Sequence, residues 1–75
     1  MTDNKDIRQR IGSELRALRQ SKGLTTRELA EKAGIIQSHI VRIENGKYGI
    51  SIDTLNKLCQ SLDAEITITH YGESH

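Results

Sequence analysis

Between Thr25 and Gly46 the chain reads TTRELAEKAGIIQSHIVRIENG, and no other stretch narrows its fold so far. The spacing predicts two short helices joined by a tight turn. Thr25 and Glu28 form a T-x-x-E capping box, in which hydroxyl and carboxylate each satisfy an orphan amide at a helix start. Leu29, Ala30 and Ala33 supply an apolar face, and the small Ala30 lets a second helix approach closely. Gly34 follows where a helix ends best in a left-handed residue. Ile36, Ile40 and Ile43 then recur at i, i+4 and i+7, before Asn45-Gly46 stops the second helix. At about 100° per residue, Gln37, Ser38, Val41, Arg42 and Asn45 share one arc opposite the isoleucines. A helix anchored by isoleucines and turning Gln, Ser and Arg outward is equipped to read base edges in a major groove.

The flanking segments supply helices to hold this pair. Asp3 or Asn4 caps a first helix running to about Lys22, with Ile7, Ile11, Leu15 and Leu18 as its apolar stripe. Arg8 and Arg10 are expected on a solvated basic face of that helix. Gly23 followed by Leu24 has the form of a Schellman stop with its hydrophobic contact. Beyond Gly46, the loop Lys47-Tyr48-Gly49-Ile50 leads to Ser51, a good N-cap for a fourth helix. Leu55, Leu58, Cys59 and Leu62 form the buried face of that helix.

The period then changes from helix to strand. Ala64, Ile66 and Ile68 alternate with Glu65, Thr67 and Thr69 up to Tyr71, and Gly72 ends the run. No second strand pattern exists to pair with it, and a lone strand leaves its amides and an apolar row exposed. Two chains pairing their strands antiparallel about a two-fold axis would resolve this, with Ile66 and Ile68 in the ribbon. A tail that packs on its own helices, or orders on a different partner, is the alternative. The expected fold is therefore mainly α. It comprises a four-helix domain over residues 1–63, a C-terminal dimerisation strand over 64–71 and a tail over 72–75.

The central stretch resembles the phage-repressor class of helix-turn-helix proteins, the XRE family. Thr25, Leu29-Ala30, Ala33-Gly34, Ile40, Ile43 and Glu44-Asn45-Gly46 carry the likeness. It extends to the first helix (Ile11–Gly23) and the fourth (Ser51–Leu62), covering about residues 7–63. The resemblance implies a DNA-binding transcriptional regulator, most simply a dimeric repressor on an inverted repeat of double-stranded DNA. It implies that Gln37, Ser38 and Arg42 face base edges and that Thr26, Asn45, Lys47 and Tyr48 lie near phosphates. Val41, apolar within the polar arc, suits a thymine methyl or is simply an exposed valine. By the same likeness Arg19 pairs with Glu44 and ties the first helix to the end of the recognition helix. Small family members with a terminal strand often serve as antitoxins, so a toxin protein is an alternative partner.

Three positions depart from the family pattern. Thr26 replaces a longer glutamine, Ile36 replaces the Ser or Thr that opens the recognition helix, and Ile50 replaces a proline. Losing the hydroxyl at Ile36 forgoes a cap of about 1 kcal/mol. Periodicity puts Ile36 on the core side, whereas the family position often lies beside a base.

Composition bounds the remaining possibilities. Seventy-five residues make one domain near the lower size limit for unaided folding, where oligomerisation is an attractive source of stability. Net charge is only +1, yet residues 1–50 hold 10 Lys/Arg against 6 Asp/Glu, whereas residues 51–75 hold one lysine against 4 acids. That segregation suits a DNA-facing side and a far side. No apolar run approaches a membrane span, and no apolar signal sequence opens the chain. The single Cys59 excludes an internal disulfide and suits a reducing cytoplasm; its place on the apolar face makes it a core residue rather than a nucleophile. His39, His70 and His75 have no metal-ligand spacing. Neither a cofactor nor enzymatic activity is expected.

Overall fold

The computed structural model describes residues 4–47 and 49–68. Four helices follow in order: α1 (Asn4–Ser21), α2 (Thr26–Ala33), α3 (Gln37–Glu44) and α4 (Ile52–Ser61). Four of the boundaries have a local cause in the chain. The capping box opens α2, with the Glu28 amide donating to Thr25 Oγ1 at 3.0 Å and the Thr25 amide to Glu28 Oε1 at 2.9 Å. Gly34 takes the left-handed conformation (φ 70°, ψ 36°) that turns α2 into α3. The α1 stop is the expected Schellman motif, in which the Leu24 amide reaches back to the Arg19 carbonyl at 3.1 Å. Ser51 caps α4 by accepting from the Thr54 amide at 3.1 Å.

The core forms where the four apolar faces meet. Leu15 from α1, Leu29 and Ala30 from α2, Ile40 and Ile43 from α3, and Leu58 and Cys59 from α4 are buried, with Leu62 closing one end. Ile11, Leu18, Leu24, Ala33, Ile35, Ile50, Leu55 and Ala64 pack around them. Burial pushes the Cys59 thiol up from its ordinary pKa, because a thiolate there would lose solvation. The residue is thus the inert core side chain that its periodicity indicates.

Three expectations change at the edges of this core. Ile36 is 73% exposed, so it does not share the buried face of Ile40 and Ile43. It is the N-cap of α3, with φ −65° and ψ 135°, and this extended backbone swings its side chain off the helical period. Ile7 lies at the rim of the α1 stripe and remains partly exposed. Arg8 is not simply solvated. Its Nε is buried without a hydrogen-bond partner among the described residues, beside a groove lined by Ile7, Ile11, Ile43, Ile50 and Leu55.

The C-terminal segment leaves α4 through Asp63, the only non-glycine residue at positive φ (56°) among those described. The Ala64 amide bonds the Cys59 carbonyl at 2.7 Å, and Asp63 accepts from Lys22 Nζ at 3.0 Å. Ala64 packs on the core, but Ile66 is 43% and Ile68 is 96% exposed. Among the described residues no strand forms, and the rest of the expected strand, residues 69–71, lies outside them.

Candidate nucleic-acid interface

The C-terminal end of α3 is fixed from three directions. Arg19 and Glu44, only 9% and 8% exposed, make a two-pronged ion pair: Nε donates to Oε2 at 2.7 Å and Nη2 to Oε1 at 3.0 Å. Nη1 donates to the Leu24 carbonyl at 2.7 Å, so all three guanidinium nitrogens are used. The hydrogen bonds it donates to Glu44 raise the Arg19 pKa above its ordinary value, outweighing the desolvation that lowers it. Gly12 supplies the second constraint. A Cβ there would stand against the Ile43 carbonyl oxygen and within 2.8 Å of the Glu44 carbonyl oxygen, so α1 approaches this end of α3 backbone to backbone. Gly46 supplies the third, because a Cβ on it would meet Gln9 Cα at 2.9 Å.

With its inner face pinned, α3 presents the opposite arc to solvent. Gln37, Ser38, Arg42 and Asn45 are exposed, as is Lys47 just beyond the helix. Val41 is 40% exposed. Tyr48 lies outside the described residues. Gln37 is also tied to α2, since its Nε2 donates to Thr26 Oγ1 at 2.9 Å. That bond leaves the second amide hydrogen and Oε1 of Gln37 for further hydrogen bonds, and the Thr26 hydroxyl proton for an acceptor.

A polar depression of about 190 Å³ adjoins this arc, lined by Arg16, Arg19, Thr26, Val41, Glu44 and Asn45. It gathers three of the expected contact residues and the scaffold pair in one place. The pattern in the sequence did not single out Gly12 or Arg16. Gly12 had a visible signal, a glycine inside an apolar helical stripe, which usually marks close packing. Arg16 had none, because its neighbours lie on two other helices.

Among the described residues no group of His, Cys, Asp or Glu is arranged to hold a metal ion, and no helix is long and apolar enough to cross a membrane.

Comparison with known proteins agrees with this geometry. A family model described as helix-turn-helix matches residues 15–68. The transcriptional repressor RghR of Bacillus subtilis is 43% identical over 53 residues, covering 69% of this chain and 39% of RghR. Antitoxin HipB of Escherichia coli is 36% identical over 58 residues, covering 77% of this chain and 62% of HipB. The crystal structure of the clp gene regulator ClgR from C. glutamicum superposes with a TM-score of 0.76 at 34% identity, covering 79% of this chain and 76% of that one. The chain thus spans well under half the length of RghR and somewhat under two thirds of HipB. The order of the four helices, the pinned α3 and the span of the family match together establish that this chain belongs to the helix-turn-helix family of the phage-repressor (XRE) type.

Proposed function

We propose that this chain is a sequence-specific DNA-binding regulator, most simply a repressor that acts as a dimer on an inverted repeat. The observation that carries the reading is the division of α3: Ile40, Ile43 and Glu44 are buried and held, while Gln37, Ser38 and Arg42 are exposed on the opposite arc. Gln37 would read adenine and Arg42 guanine, since each can make paired hydrogen bonds to those bases in the major groove. The exposed Ile36 and Val41 would offer apolar contact to thymine methyls. Thr26, Asn45, Lys47 and Tyr48 would hold phosphates.

The exposed Ile66 and Ile68 support pairing of two C-terminal strands, which would bury both side chains and satisfy the backbone groups of the segment. Such a dimer would reside in the cytoplasm with its operator. A family composed of regulators, together with the lack of a catalytic constellation in the sequence, argues against an enzyme. The likeness to HipB favours one second reading, that the chain also neutralises a toxin protein while regulating its own operon.

Selection of bound duplexes from a random pool tests the main reading. An inverted repeat should emerge, and Gln37→Ala or Arg42→Ala should each cost about 1–3 kcal/mol on it and relax discrimination at particular base pairs. Unchanged specificity in both variants would refute these assignments. Sedimentation of the full chain tests the dimer, and a monomer at tens of micromolar would refute strand pairing.

A further inference from the structure

We infer that Arg16, on the rim of the depression between α1, α2 and α3, supplies the cation for the phosphodiester that Thr26 and Asn45 face. The inference rests on the DNA-binding reading and adds a contact that neither the sequence pattern nor the resemblance supplied. Arg16 is exposed and makes no hydrogen bond or ion pair among the described residues. Its neighbours on α1 differ: Arg10 lies 4.0 Å from Glu14, and Arg19 is consumed by Glu44 and Leu24. The floor of the depression is therefore a neutralised pair, and its rim carries one uncommitted positive charge.

The other rim groups suit the same ligand. Thr26 Oγ1 accepts from Gln37 and keeps a hydroxyl proton to donate, and the Asn45 side chain brings an amide that can donate as well. A guanidinium, a hydroxyl and a carboxamide around about 190 Å³ match a tetrahedral anion with several acceptor oxygens. The position also fits, because Val41 and Asn45 belong to the outward arc of α3, so a strand whose bases α3 reads would run past this edge. Arg16 would make good the shorter reach of Thr26, by contributing charge from α1 where a longer α2 side chain is lacking.

Titration of a mixed-sequence duplex over a range of salt concentrations tests this directly. Arg16→Ala should weaken binding and make the negative slope of log K against log salt shallower by about 0.9, the share of one phosphate. The deficit should accordingly shrink about three- to fourfold between about 50 and 200 mM salt. Arg16→Lys should restore the slope, and Lys57→Ala, a change at an exposed cation on α4, should leave it unaltered. On the selected duplex, neutral methylphosphonate placed at each phosphate in turn should reveal one position per half-site whose cost disappears in Arg16→Ala. Inorganic phosphate at matched ionic strength should not compete; competition at millimolar levels would assign the site to a free phosphate instead. A wild-type slope in Arg16→Ala, or identical methylphosphonate profiles, would overturn the proposal while leaving the DNA reading intact. A wild-type chain that binds no duplex would remove both.

Discussion

The two ends of α3 are built on opposite principles. At the C-terminal end, Glu44 is gripped by Arg19, Gly12 brings the α1 backbone against the last carbonyls, and Gly46 folds over Gln9. At the N-terminal end, Ile36 caps the helix with no side-chain hydrogen bond, and the nearest tie is the exposed Gln37–Thr26 contact. One end is fixed by groups that have no other partner to turn to. The other is held by bonds that water or a ligand can replace. A reading helix benefits from this division, since orientation must be set by the scaffold whereas the groups that meet a ligand must still have hydrogen-bonding capacity to give.

The largest expected effect lies at the fixed end. Arg19→Ala leaves a buried carboxylate unpaired and should cost about 3–5 kcal/mol in urea denaturation. Replacing both partners, Arg19→Met with Glu44→Leu, should recover much of that loss, because an apolar pair carries no desolvation cost. A neutral single variant would mean that this end is not held by the pair at all.

Gly12→Ala sharpens the comparison through its sign. Elsewhere in a helix the change gains up to about 1 kcal/mol. Here the added methyl meets carbonyl oxygens, so a loss of about 1–3 kcal/mol is expected. Stabilisation would show that α1 and α3 can separate without cost. At the open end the sign reverses: Ile36→Ser restores a capping hydroxyl and should raise stability by about 1 kcal/mol, measured in the same denaturation series.

The smallest effect belongs to a tie outside α3. Hydrogen bonding and charge from Lys22 hold the Asp63 carboxyl below its ordinary range, although Asp63 is fully exposed. A depressed carboxyl contributes stability above its unfolded pKa of about 3.9 and loses it as pH falls through the folded value. The thermal midpoint of Lys22→Ala should therefore sit slightly below wild type at neutral pH and converge with it in acid. A gap that does not narrow at all as pH falls through the carboxylate range would assign the effect to something other than this pair.

These contrasts separate what was legible in the residues from what was not. The capping box, the Gly34 turn, the Schellman stop at Gly23 and the Ser51 cap each join residues at most five apart, and each formed as the spacing predicts. The inward faces of α2, α3 and α4 were equally legible, because a helical period fixes which side chains share a side. Arg19 and Glu44 stand 25 positions apart, and family likeness rather than spacing brought them together.

Ile36 failed the periodic argument because a cap residue has extended backbone, and the helical period does not yet apply to it. By itself, then, the sequence determined the helices, their ends, their apolar faces and the family. Tertiary structure decided that Gly12 is a contact point, that Arg8 lies partly over apolar surface and that Gln37 meets Thr26. It also decided that Arg16 shares a depression with α2 and α3. The physical reason is the range of the interactions. Local hydrogen bonds and periodicity are written within one or two turns of chain, whereas the approach of two helices depends on the packing of every side chain between them.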